Sequence, residues 1–205
     1  GLVRSLPPAL AQIVEQITFG IHQLPLESRS ESSPVPLAQR RAPLPDWLLP
    51  RRSVGSFLVL RPLGSGGVSS VFVARRMEER NNAKAENFAL KVPEYDPSTA
   101  RSMSEKEFFQ MFREEAGALL SLPSHENLAR FVTFDLAARP KPILVMELIR
   151  GTALDRLIRS QSLSMPRVIA YLDGILAGLE AMHAAGLGHL DVKPSNVILR
   201  GGRTP

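Results

Sequence analysis

Cysteine is absent from the 205 residues. Without it neither a disulfide framework nor a thiolate metal site can be built, and the absence fits a reducing, cytoplasmic setting. Aromatic residues are sparse at 6%, with one tryptophan and two tyrosines. Few of them interleave with the scattered basic residues Arg40, Arg41, Arg51, Arg52, Arg75 and Arg76, so no nucleic-acid partner is expected. No apolar run approaches the roughly 20 residues that span a bilayer, and no signal peptide is evident. The first residue is Gly1 rather than methionine, which raises the expectation that the chain is cut from something longer. What is present suffices for one domain with a real core, since hydrophobic residues make up 44%. The net charge of +5 reads as a solvated surface and a basic linker.

Three regions differ in composition. Within residues 1–27, Leu10, Ile13, Val14, Ile17 and Ile21 recur at helical spacing. They predict one amphipathic helix over 8–24, ended by Pro25. It would pack on its own domain or dock a partner. Residues 28–54 hold Pro34, Pro36, Pro43, Pro45 and Pro50 among Ser and Arg and read as a linker with little to bury. From residue 55 to 205 the pattern is that of a folded domain. Strands are predicted over 56–63, 68–75, 87–92, 129–136 and 142–148, and helices over 103–121, near 152–160 and over 164–185. The fold class is therefore α+β: a mostly antiparallel five-stranded sheet with one packed helix, followed by a helical part.

Four segments carry chemistry. In Leu63-Gly64-Ser65-Gly66-Gly67-Val68-Ser69-Ser70-Val71 the glycines allow backbone N–H groups to approach phosphate oxygens closely. Any tight hairpin also uses glycine, but strands flank this one on both sides, whereas a dinucleotide fingerprint opens a helix. In Ala89-Leu90-Lys91 a lysine lies in an apolar strand, which costs free energy unless it is paired or snorkels to water. On the helix over 103–121, Phe108, Phe112 and Leu119 lie at −7, −3 and +4 from Glu115. Glu115 therefore shares the buried stripe while Glu114 faces solvent. A carboxylate so placed needs a cation. Lys91 is the natural one; the alternative is a surface pair with Arg113 or Lys106. The most specific segment is His189-Leu190-Asp191-Val192-Lys193-Pro194-Ser195-Asn196, followed by Val197-Ile198-Leu199.

These motifs, in this order, resemble the protein kinase family, and the bacterial, eukaryotic-like Ser/Thr type within it. Ser124-His125-Glu126-Asn127-Leu128 is similar to the family's turn before the fourth strand, and Val145-Met146-Glu147-Leu148 to its hinge. The resemblance implies an N-lobe over 55–147 and a hinge with the start of a C-lobe over 148–205. It implies ATP and Mg²⁺ as cofactors and a protein with a Ser/Thr hydroxyl as substrate. Backbone around Gly64, Ser65, Gly66 and Gly67 would cover the phosphates. Leu63, Val71, Ala89 and Ile198 would sandwich the adenine, Met146 would back the pocket, and backbone groups of Glu147 and Ile149 would hold the adenine edge. Lys91, paired with Glu115, would contact phosphates. Asp191 would accept the hydroxyl proton, Lys193 would stabilise the moving phosphoryl group, and Asn196 would bind Mg²⁺.

The sequence also departs from the family pattern. Ser69 stands for the loop's third glycine. Leu190 stands for an arginine that pairs with a phosphorylated activation loop, so no such switch is expected. No Asp-Phe-Gly segment occurs before Pro205. The expectation is that the complete parent is the Ser/Thr kinase and that this chain alone is inactive and exposes apolar surface. The alternatives are a nucleotide-binding pseudokinase or regulatory module, and a small-molecule kinase of the aminoglycoside type, which the Leu-Asp-Val-Lys-Pro-Ser-Asn run fits less well.

Overall fold

In a computed structural model the described residues are 19–22, 44–48, 50–65, 69–97, 99–160, 163–189 and 191–201, with the backbone alone at 19–22 and Ser65. Nine strands and three α-helices follow along these residues. They are β1 (Phe19–His22), β2 (Ser53–Val54), β3 (Phe57–Ser65), β4 (Ser69–Arg76), β5 (Phe88–Pro93), α1 (Glu105–Leu120), β6 (Phe131–Asp135), β7 (Ile143–Glu147), β8 (Gly151–Ala153), α2 (Leu154–Ser160), α3 (Met165–Ala184) and β9 (Val197–Arg200).

The larger sheet runs β2-β3-β4-β5-β7-β6, and every pairing in it is antiparallel. The sequence predicts five strands; the sixth is the edge strand β2, whose two residues are too short to show a period. Pro62 lies within β3 beside a register shift between Pro62 and Gly64, the kind of irregularity at which strands tolerate proline. β5 is buried along its length because both faces are covered. Phe88, Leu90 and Val92 point to one core with Leu48, Val54, Phe57, Phe72 and Val145. Ala89 and Lys91 point the other way, as the period of two requires.

α1 begins at a capping box. The Ser104 N–H donates to Glu107 Oε2 at 2.8 Å, and the Glu107 N–H donates to Ser104 Oγ at 3.3 Å. Its inner stripe of Phe112, Ala116 and Leu119 enters a second core with Leu144, Leu157, Met182, Val197 and Leu199. That core joins the sheet to the helical part, so α1 is held from both sides. The smaller sheet runs β1-β9-β8, with β8 antiparallel and β1 parallel to β9.

Two expectations about the N-terminal third are corrected. Phe19–His22 is a strand in register with Val197–Arg200, not the end of a helix; the rest of the predicted 8–24 helix lies outside the described residues. Phe19 and Ile21, an aromatic and a β-branched residue, have high strand propensity, and the helical count could not distinguish Ile21 at that spacing from Ile21 in a strand. Residues 44–48 and 50–54 are not linker. Leu48 and Val54 are fully buried, and Trp47 meets Phe72 edge-to-face at 5.9 Å with Lys141 Nζ 4.8 Å from its ring. Proline dominates the composition there, whereas burial follows the few apolar side chains between the prolines.

Candidate functional site

The strand register brings the predicted pocket residues to one face of the larger sheet. Val71 is opposite Lys91 and Lys91 opposite Leu144; Val73 is opposite Ala89 and Ala89 opposite Met146. Directly paired residues share a face, so Val71, Ala89, Lys91 and Met146 line the same surface. Val71, Ala89 and Ile149 are buried, Met146 and Ile198 half-buried, and Leu63 and Gly64 exposed. A Cβ at Gly64 would meet nothing within 4 Å, which leaves open space over the end of β3. Gly66 and Gly67 lie outside the described residues, as does Leu190.

Lys91 Nζ donates to Glu115 Oε1 at 3.1 Å, and both side chains are 4% exposed. The stripe argument therefore selects the correct one of two adjacent glutamates; Glu114 instead accepts from Gln110 Nε2 at 2.9 Å on the solvent side. Burial pushes the Glu115 carboxyl above its ordinary value, and the charge and hydrogen bond of Lys91 oppose that shift without cancelling it. Among the described residues Glu115 Oε2 is buried with no hydrogen-bond partner. It borders a cavity of about 150 Å³ whose walls include Leu119, His125, Leu144 and Met146.

The second group of residues lies on the turn between α3 and β9. Gly186, at φ +76°, ends α3 in the left-handed conformation that favours glycine. Pro194–Asn196 forms one 3₁₀ turn leading into β9. Asn196 is buried, and its Nδ2 donates to both the backbone O and Oδ2 of Asp191, each at 2.9 Å. Lys193 Nζ lies 2.6 Å from the same Oδ2. Burial raises the Asp191 carboxyl, but the hydrogen bonds from Lys193 and Asn196 and the charges of Lys193 and His189 outweigh it and hold Asp191 below its ordinary value. Asp191 is thus ionised at neutral pH, with Oδ2 held by these donors. The amide of Asn196 is fixed through its nitrogen, so its Oδ1 is the atom of that side chain suited to a cation.

Two positions had no predicted role. His189 is buried, and its Nδ1 accepts the Asp191 N–H at 3.2 Å. Arg200 Nη2 donates to Glu147 Oε2 at 3.2 Å, tying β9 to the end of β7. His189 stands two residues before Asp191 within the most specific motif, which is the signal the sequence holds for it. Nothing local signals Arg200, which is 53 residues from its partner. Glu147 also receives the Arg130 N–H, and these contacts outweigh its burial and hold its carboxyl below the usual range. The Glu147 N–H donates to the Arg130 carbonyl at 2.8 Å. That N–H is committed within the fold, so of the expected adenine-edge groups at Glu147 only the carbonyl can serve a ligand.

Comparison with known proteins follows the same outline. Residues 57–204 match the family model described as protein kinase domain. The chain is 37% identical over 164 residues to the serine/threonine-protein kinase PknL of Mycobacterium bovis, covering 79% of this chain and 37% of that protein. It is 32% identical over 145 residues to the serine/threonine-protein kinase pkn2 of Myxococcus xanthus, covering 71% of this chain and 16% of that protein. The chain thus spans well under half the length of these relatives. A crystal structure of the Mycobacterium tuberculosis PknI kinase domain superposes with a TM-score of 0.55 at 22% identity, over 72% of this chain and 57% of that one. That likeness concerns the fold.

Proposed function

The chain belongs to the protein kinase domain family, and from that premise we propose that it is the nucleotide-binding half and catalytic loop of a Ser/Thr kinase. The reaction is transfer of the γ-phosphoryl group of ATP to a Ser or Thr hydroxyl of a protein. The observation that carries this reading is the Asp191 carboxylate, ionised, with Oδ2 held by Lys193 and Asn196.

The residues fit the cofactors the family implies. A buried lysine is fixed by a carboxylate on the same sheet face as Val71, Ala89 and Met146, and a fixed amide oxygen stands beside an ionised carboxylate. Bound Mg²⁺ and ATP would supply the transferable phosphoryl group and neutralise its charge. Lys91 would meet phosphate oxygens, with Glu115 preventing the ammonium from turning away. Ala89, Val71 and Ile198 would offer an apolar slot for the adenine, and Asn196 a ligand for the metal. Asp191 Oδ1 would accept a hydrogen bond from the substrate hydroxyl, aligning it for attack, and Lys193 would face the charge that develops on the phosphoryl oxygens. None of these roles needs covalent chemistry by the protein; each needs a donor or acceptor held in place. Among the described residues no helix is long and apolar enough to cross a membrane, and a cytoplasmic site with access to ATP belongs to the same proposal.

The test is Mg·ATP-dependent phosphate transfer to a generic Ser/Thr substrate. It is run on this chain and on a form extended beyond Pro205, each beside Asp191→Asn. Transfer by the extended wild type, abolished by the substitution, establishes the kinase. Binding of ATP by the extended form without transfer replaces it with a nucleotide-binding regulatory module.

A further inference from the structure

The proposed transfer assigns no role to Arg200, yet two hydrogen bonds hold it to a residue of the site. Arg200 Nη1 donates to Glu147 Oε1, and Nη2 donates to Oε2 at 3.2 Å. The two side chains are only 23% and 24% exposed. A guanidinium that meets both oxygens of a carboxylate fixes direction as well as distance. An exposed, single-pronged ion pair does neither.

Glu147 is held from its other side too. Its Oε2 also accepts the Arg130 N–H at 3.1 Å, and its own N–H donates to the Arg130 carbonyl at 2.8 Å. The residues after it are bound to the strand that carries Arg200. Gly151, Thr152 and Ala153 pair with Arg200, Leu199 and Ile198, and the Gly201 N–H donates to the Arg150 carbonyl at 3.1 Å. Backbone pairing thus anchors the Gly151–Ala153 end of this stretch to β9, and Arg200 anchors the Glu147 end.

The Glu147 carbonyl is the group at that residue left to the adenine edge. Adenine carries a 6-amino donor, and guanine carries a 6-oxo acceptor in its place. A carbonyl held still accepts from the first and sets acceptor against acceptor with the second. Discrimination therefore depends on how firmly the carbonyl is held. A carbonyl that can turn loses the one interaction and escapes the other.

We propose that Arg200 is a positioning residue for nucleotide choice: its two-pronged hold on Glu147 fixes the carbonyl of that residue at the adenine edge, and a preference for ATP over GTP follows. This role rests on the nucleotide-binding reading above and adds to it a residue that acts through Glu147.

The test is calorimetric titration of Mg·ATP and Mg·GTP into the form extended beyond Pro205. The proteins are wild type, Arg200→Met, Arg200→Lys, Glu147→Ala, and Glu147→Ala with Arg200→Met. Each keeps a carbonyl at position 147, because that group belongs to the backbone. Arg200→Met is expected to weaken ATP binding about tenfold, the contribution of one well-placed hydrogen bond. GTP affinity should hold or rise, so the ATP:GTP affinity ratio falls by at least as much. Arg200→Lys puts a point charge where a fork stood; the ratio should fall several-fold, and this variant carries the test if Arg200→Met fails to fold. On the Glu147→Ala background, Arg200→Met should leave the ratio where Glu147→Ala set it, since the two act as one unit.

Equal losses of ATP and GTP affinity in Arg200→Met make the pair a structural brace and overturn the proposal. A wild-type ratio in Arg200→Lys overturns it as well, and so does a further fall in the double variant. Wild type that binds ATP and GTP equally removes the preference itself. Wild type that binds neither overturns the kinase reading and this role with it, whereas ATP binding that no variant alters overturns this role alone.

Discussion

Lys91 Nζ and Glu115 Oε1 stand 3.1 Å apart with 4% of either side chain exposed, a lysine from β5 and a glutamate from α1 that meet only because the helix packs across the sheet. A buried pair of this kind adds little net stability, yet losing one partner leaves a charge without compensation. Lys91→Met is therefore expected to destabilise the fold by about 3–5 kcal/mol. Lys91→Met with Glu115→Leu should recover most of that loss while nucleotide affinity stays lost. Urea denaturation and ATP titration of the three proteins check both parts; a double variant as unstable as the single one would point to a net stabilising pair.

The same glutamate sets a pH dependence. Burial raises the Glu115 carboxyl in the folded state, above the value of about 4.3 it takes in an unfolded chain. Its stabilising contribution is complete below the unfolded value and is lost as pH rises through the folded one. Relative to Glu115→Gln, the wild type should lose stability as pH is raised from about 4 towards neutrality. Asp191 has the opposite sign, because its folded value is depressed. Its contribution is present above about 3.9 and is lost as pH falls through the folded value. Denaturation midpoints over a pH series, for wild type, Glu115→Gln and Asp191→Asn, read the two slopes independently.

At the turn between α3 and β9, Asn196 holds Asp191 through two hydrogen bonds from one nitrogen. In a form of the protein competent for transfer, Asp191→Asn should lower kcat by about 10²–10⁴-fold, the range of positioned proton acceptors. Asn196→Ala should lower kcat and also raise the Mg²⁺ concentration needed for half-maximal rate. Steady-state rates across a magnesium titration separate the two. An Asn196 variant with an unchanged magnesium requirement would remove that residue from the metal site.

Gly151 is required by close approach. A Cβ there would lie 1.9 Å from the backbone oxygen of Leu199. Gly151→Ala must part β8 from β9, and is expected to cost about 1–3 kcal/mol. Gly117, on the exposed side of α1, is the control, since a Cβ there meets nothing within 4 Å. Gly117→Ala should stabilise by about 0.5–1 kcal/mol through helix propensity. Thermal or urea unfolding of the pair is the measurement.

Much of this architecture was legible from local pattern. Alternation separates Leu90 from Lys91, and the 3.6-residue period separates Glu115 from Glu114; both assignments hold in three dimensions because a side chain's face is a property of its own element. The spacing within residues 189–196 likewise ties Asp191, Lys193 and Asn196 to one short turn, where covalent connection alone keeps them close. The core strands and all three helices were found for the same reason.

Partner choice is another matter. That Phe19–His22 pairs with Val197–Arg200, that Trp47 and Leu48 close the far side of the sheet, and that Arg200 reaches Glu147 are contacts between segments far apart in the chain. No period or composition within a segment encodes them. A strand's sequence states which of its faces wants burial, and the packed chain settles what lies against that face. Ile21 fits the helical spacing of the residues before it as well as it fits a strand, and the available edge of β9 made the choice.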